Sequence, residues 1–171
     1  MIKHLAIALT GTAVLAAVAV RATQSPANVD WAINGGTGNA RYSALTQITK
    51  ENVRQLQVAW TYEQGDHFTA SEMQSNPVVV DGVLYVTTPT MQVVALAADT
   101  GKKLWQYDPS GGSGARTRAR HRGVTVHADR VLVSYRNFLV ALDKTTGRPI
   151  PTFGVDGRLD LREGFGKPLE Q

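Results

Sequence analysis

From Asn76 onward the chain alternates short apolar runs with turn-forming dipeptides. Val78, Val79 and Val80 form a β-branched run that stops at Asp81-Gly82, a pair suited to a tight hairpin turn. Residues 83–88 (Val-Leu-Tyr-Val-Thr-Thr) resume the β-forming pattern until Pro89 breaks it. Residues 93–96 make a third run, Asp99-Thr100-Gly101 a second turn, and residues 103–107, with Trp105 at their centre, close the unit. Little in the stretch follows a 3.6-residue period, which argues against a helical repeat. Four short strands joined by tight turns predict one antiparallel meander, the size of a single propeller blade.

The unit then recurs. Ala95, Leu96 and Gly101 reappear as Ala141, Leu142 and Gly147, all at an offset of 46 residues. Asp81-Gly82-Val83-Leu84 resembles Asp129-Arg130-Val131-Leu132 at an offset of 48, which predicts that a connection between strands is two residues shorter in the second copy. A period in the forties with a glycine turn points to a β-propeller. The second blade is expected from Gly123 to about Phe153, with Pro151 at the position of Trp105.

Upstream, three segments differ in character. Residues 1–24 read as an export signal: Lys3 and His4 precede an apolar run of 16 residues ending at Val20, and Val20-Arg21-Ala22 suits cleavage before Thr23. The run is shorter than the roughly 20 residues that span a hydrocarbon core as a helix, so export to the periplasm is expected, with an uncleaved membrane anchor as the alternative. Residues 25–56 form an N-terminal extended segment whose glycines, Gly35, Gly36 and Gly38, fail the nucleotide-loop frame because Arg41 replaces its last glycine. Within it, Thr49 is placed to cap a short helical turn. Residues 57–171 hold the partial propeller. A strand over residues 56–62, carrying Trp60, precedes the first complete blade, as expected if it belongs to the last blade and closes the ring without exposed sheet edges.

Charge and cysteine content change this picture little. The chain has 18 basic and 14 acidic side chains, and loss of Lys3 and Arg21 with the signal leaves 16 against 14. Nothing in that balance calls for nucleic acid. The absence of cysteine excludes a thiol nucleophile, a thiolate metal site and any disulfide. The densest positive patch is Arg116, Arg118, Arg120, His121 and Arg122, following the flexible Ser-Gly connector after Pro109. It lacks the interleaved aromatics of a nucleic-acid groove, leaving a solvated loop or an anion site.

The chain resembles the pyrroloquinoline quinone (PQQ)-dependent dehydrogenases in Asp30-Trp31, Gly35-Gly36, Arg41-Tyr42-Ser43-Ala44-Leu45, Gln47-Ile48 and Ala59-Trp60. Residues 95–105 are similar to that family's tryptophan-docking motif, A-x-D-x-x-x-G-x-x-x-W, with Ala97 at the acidic position. The second copy keeps Ala141, Asp143 and Gly147. Arg122-Gly123-Val124-Thr125, Phe153-Gly154 and Leu161-Arg162-Glu163 look closest to the glucose-dehydrogenase branch. The resemblance covers about residues 28–171 and implies an all-β, eight-bladed propeller. This chain would supply an incomplete N-terminal portion of fewer than two full blades plus a closing strand.

The same resemblance implies a periplasmic enzyme that oxidises a glucose-like sugar or an alcohol with PQQ as hydride acceptor. Ca²⁺ would assist, and electrons would pass to ubiquinone or a cytochrome. Arg122 matches the family arginine that approaches the quinone oxygens, and Gln74 stands where relatives often carry a cofactor-contacting Glu. A guanidinium there would bond an anionic cofactor and stabilise charge that develops on reduction. The family's Ca²⁺ ligands and catalytic Asp fall outside the matched region, so no catalytic or metal-binding residue is named in this chain. The alternative is a non-catalytic propeller of the same repeat family, acting as a scaffold in outer-membrane protein assembly.

Overall fold

The computed structural model describes residues 29–113 and 120–163. The export signal, Arg116, Arg118 and the last eight residues lie outside the described residues. The Asp81-Gly82 turn joins β1 (Val78–Val80) to β2 (Val83–Thr87), and β3 (Val93–Ala97) and β4 (Lys103–Tyr107) continue the meander. All neighbours pair antiparallel in the order β1-β2-β3-β4. A second sheet repeats the plan with β5 (Thr125–His127), β6 (Arg130–Tyr135), β7 (Phe138–Asp143) and β8 (Arg158–Asp160). The two are blades of a propeller standing side by side, and the described residues do not close a ring.

Ladder register corrects the repeat offset. Val78 faces Tyr85 in the first sheet and Thr125 faces Leu132 in the second, an offset of 47 for both strands. Ala95 and Ala141, at an offset of 46, face those same partners. One residue, not two, is therefore lost, and it is lost between β2 and β3. The Asp-x-Val-Leu likeness is one residue out of register: Ala128-Asp129 occupies the hairpin position of Asp81-Gly82. Burial explains which register wins. Because side chains alternate across a pleat, an offset of 48 would align Val131 and Val133 with Val83 and Tyr85, on the wrong face. At 47 they align with Leu84 and Val86.

That face matters because it packs against the neighbouring blade. Val131, Val133, Val140 and Leu142 join Val78, Tyr85, Val93, Ala95 and Trp105 in one core between the sheets. The corresponding face of the first blade, Val86, Val94 and Leu96, is covered by Trp60 and Tyr62. Each tryptophan lies on a glycine: a Cβ at Gly147 would sit 2.5 Å from the Trp105 ring, and one at Gly101 2.5 Å from that of Trp60. Each indole N–H also donates to a turn carbonyl, Trp105 to Lys144 at 3.0 Å and Trp60 to Ala98 at 3.1 Å.

Trp60 thus docks on the first blade as Trp105 docks on the second. The segment carrying it, expected as a strand over residues 56–62, has no regular secondary structure and pairs with no strand among the described residues. It has the side-chain packing of a blade's last strand without a sheet partner. Thr49 does serve a turn as expected, its Oγ1 accepting the Glu51 N–H at 3.3 Å ahead of a 3-10 helix over Val53–Gln55. Trp31 exchanges two backbone bonds with Val79, at 2.8 and 2.9 Å, and lays the N-terminal segment along the free edge of β1.

The second blade departs from expectation at its fourth strand. Pro149 bridges to Leu142, and Ile150 donates to the Ala141 carbonyl at 2.9 Å, as the start of such a strand should. The chain then turns away and returns, so that Gly157 accepts from Ala141 N–H at 3.0 Å and β8 completes the ladder. Residues 151–156 are an excursion, and Gly157, not Pro151, stands at the ladder position of Trp105. The blade runs past Phe153 to Asp160. A Cβ at Gly157 would sit 2.6 Å from Pro149, so the returning chain fits against the outgoing one too tightly for a docking side chain.

Candidate functional site

Residues 120–124 link the blades at the end where β1 and β5 begin, and hydrophobic packing anchors them from below. Val124 and Val126 lie against the inter-blade core, which fixes where the chain must rise into β5. Just before them, Gly123 has φ of +113°, and a Cβ there would lie 2.7 Å from the Asn76 carbonyl. Only glycine fits so close to the neighbouring backbone in that conformation. Asn76 N–H donates to the Arg122 carbonyl at 3.0 Å, so the loop is tied to the residue that leads into β1.

Arg122 projects from this tied loop. Its side chain is exposed and has no hydrogen-bond or ion-pair partner among the described residues. It lines a cleft of about 530 Å³ together with Asn34, Asn76, Val78, Val124 and Thr125. The lining thus combines two amide side chains, Asn34 and Asn76, with aliphatic carbons and the Arg122 guanidinium. An anionic, planar ligand edge suits that donor set, because the guanidinium offers a fork of N–H donors and the amides can donate or accept.

Gln74 lies in the same approach to β1 but does not line this cleft. Its amide donates to Glu72 Oε2 at 2.8 Å, and Glu72 in turn accepts from Arg120 at 3.1 Å. The hydrogen bond and the charge of Glu72 both raise the Arg120 pKa, as expected of an ion pair. Arg120 and Arg122, two positions apart in one patch, therefore have different fates: one is neutralised by a carboxylate and the other is left available. The separation was not legible from the patch as a whole, since Glu72 sits 48 residues upstream in a polar stretch without pattern.

His121, between them, is not part of a positive patch. It is half-buried between the blades, and burial pushes its pKa below the ordinary imidazole value. Nε2 lies 3.1 Å from Ser134 Oγ, and Nδ1 accepts the Gly123 N–H at 3.1 Å. Among the described residues no group of three or more His, Asp or Glu side chains is placed to hold a metal ion.

Comparison with known proteins agrees with this architecture. The β-propeller domain model of the PQQ glucose/ethanol/alcohol dehydrogenases matches residues 31–171. A 1-butanol dehydrogenase (cytochrome c) of Thauera butanivorans is 37% identical over 142 residues, covering 80% of this chain and 20% of that protein. The quinohemoprotein alcohol dehydrogenase ADH-IIG of Pseudomonas putida is 35% identical over 187 residues, covering 96% and 24%. The crystal structure of quinohemoprotein alcohol dehydrogenase from Comamonas testosteroni superposes with a TM-score of 0.62 at 33% identity, over 79% of this chain and 20% of that one. The chain spans about a fifth to a quarter of the length of these relatives.

Proposed function

Because this chain belongs to the β-propeller family of the PQQ-dependent glucose/ethanol/alcohol dehydrogenases, we propose that it forms one sector of a quinoprotein that oxidises an alcohol. The observation that carries the reading is Arg122: a guanidinium without a partner among the described residues, on a doubly tied loop, lining a cleft whose amides suit a polar, planar ligand. In this reading Arg122 bonds an oxygen on the rim of PQQ, and Gln74 adds an amide contact if it turns away from Glu72. PQQ, when bound, supplies the two-electron acceptor that no side chain can provide. The chain's own part is to bind and orient it: Arg122 neutralises charge at the rim, while Val78 and Val124 keep water from one side of the cleft.

The finer assignments follow from the same premise. Relatives that act on alcohols favour a small alcohol as substrate, and the cytochrome c in the name of the Thauera relative favours a cytochrome as electron acceptor. A glucose-like substrate and ubiquinone are the competing choices. Ca²⁺ would be held by residues from other sectors, and the enzyme would work in the periplasm. One rim contact contributes a few kcal/mol at most, too little to offset the entropy lost on association. The expected outcome is that this chain by itself retains PQQ weakly and reduces no dye. A ring of the relatives' length containing it should reduce dye with ethanol or butanol once PQQ and Ca²⁺ are added. Turnover by the 171-residue chain would refute the sector reading. A complete ring indifferent to PQQ would favour the assembly scaffold, and preference for glucose would overturn the alcohol assignment.

A further inference from the structure

The peptide unit between Arg122 and Gly123 is held from both sides. Its carbonyl accepts the Asn76 N–H from the approach to β1 at 3.0 Å, and its N–H donates to His121 Nδ1 at 3.1 Å. Gly123 carries no side chain to restrain that unit, so these two bonds decide which way it faces, and with it the Arg122 Cα. The His121 ring is itself fixed at the seam of the two blades. Nε2 meets Ser134 Oγ in β6 at 3.1 Å, Nδ1 lies 3.4 Å from Thr87 Oγ1 at the end of β2, and the Thr87 N–H donates to Ser75 Oγ at 3.0 Å.

The donor and acceptor roles specify the protonation state. The Gly123 N–H can only donate, so Nδ1 must present its lone pair, and the ring proton of the neutral form must sit on Nε2, facing the Ser134 hydroxyl. A second proton on Nδ1 would abolish the bond to Gly123. Among the described residues none that bonds the ring offers a counter-charge: Thr87 and Ser134 are uncharged hydroxyls, Arg120 and Arg122 flank the ring in sequence, and Glu72 is engaged by Arg120 and Gln74.

From this geometry we propose that His121, as the neutral Nε2–H tautomer, is a positioning residue that clamps the Arg122–Gly123 peptide and so aims the Arg122 guanidinium at the cofactor. The proposal rests on the reading of Arg122 as a PQQ contact. It specifies that an acceptor two residues before Gly123, rather than an imidazole as such, is what matters.

Three variants and three readouts separate the possibilities. Asparagine at position 121 can accept the same N–H through an Asx turn, whereas leucine fills the space and accepts nothing. In a full-length ring carrying this segment, His121→Leu should speed hydrogen exchange at the Gly123 amide and weaken PQQ binding about tenfold, as expected for loss of one part-buried hydrogen bond. His121→Asn should restore both to within about threefold of the parent. In the unaltered protein, ¹⁵N shifts of the His121 ring should report the proton on Nε2. A proton on Nδ1 would overturn the proposal, as would equal losses in the Leu and Asn variants, which would mean packing alone. If Arg122→Ala weakens PQQ binding but His121→Leu does not, the proposal fails while the reading of Arg122 stands. If Arg122→Ala leaves PQQ binding unchanged, both fail.

Discussion

Gly147 and Trp105 show how one residue can dictate another across 42 positions. Close approach of the indole leaves no room for a Cβ at Gly147, whose φ of +70° also disfavours any L side chain. The Trp105 ring in turn lies tilted at 5.9 Å from Tyr85, a buried phenol whose pKa desolvation and the charge of Asp81 push up to about 12. Trp105→Ala should cost about 3–5 kcal/mol, the usual loss for a packed aromatic, and Gly147→Ala should cost about 1–3 kcal/mol through overpacking. Urea denaturation of both variants checks this; a silent Gly147→Ala would mean that the indole is free to move. At His121 the sign of a pH effect follows from the depressed pKa. The unfolded chain takes up a proton below about pH 6.5 that the folded chain resists. Its contribution is therefore complete above that pH and is lost as pH falls through the folded value. Midpoints measured between pH 8 and 5 should decline for the parent and decline less for His121→Asn.

At the scale of an element, the interrupted fourth strand of the second blade behaves as a bulge drawn out into a loop. Ala141 uses its carbonyl on Ile150 and its N–H on Gly157, so the two ends of the excursion face the same residue. The ladder between β7 and β8 uses none of the residues between, although Val155, 76% exposed, exchanges two backbone bonds with Arg158 of β8, at 2.8 and 3.0 Å. Deleting residues 151–156 and joining Ile150 to Gly157 should preserve the sheet at a cost of about 1–3 kcal/mol for the two Val155–Arg158 bonds, since loop-closure entropy varies slowly with length. Circular dichroism and a melting curve test it. Loss of sheet signal would show that the excursion is needed to form β8.

For the molecule as a whole, the question is what couples the blades. An apolar core of Val, Leu, Tyr and Trp side chains lies between them. The Lys144–Asp81 ion pair, at 2.7 Å, crosses the seam with Asp81 mostly in solvent, and an exposed pair of that kind contributes at most about 1 kcal/mol. Burial, not charge, should therefore make the two sheets unfold together. Leu142→Ala, at a fully buried seam position, should cost about 2–5 kcal/mol. Far-ultraviolet and tryptophan signals should still coincide in urea, and 0.5 M salt should move the midpoint little. Separate transitions for the two signals would show independent blades.

Much of this fold was legible locally. The β-branched runs, the Asp81-Gly82 turn and the glycine-tryptophan spacing act over a few residues, and they specify the strands, the meander order and the repeat without reference to neighbours. The family resemblance was equally readable, because docking tryptophans and glycines must recur wherever blades stack. Register was not. The Asp-x-Val-Leu likeness suggested one alignment, and the inter-blade core selected another, since only burial decides which face of a pleat points inward. Pro151 was misplaced for a related reason: an excursion whose ends meet on Ala141 leaves no local mark in the sequence. The arginine patch divided only in three dimensions. Glu72 reaches Arg120 from far upstream, His121 turns into the seam, and Arg122 alone of these three lines the Asn34–Asn76 cleft. Charge pairing acts through space, so sequence proximity could not assign it.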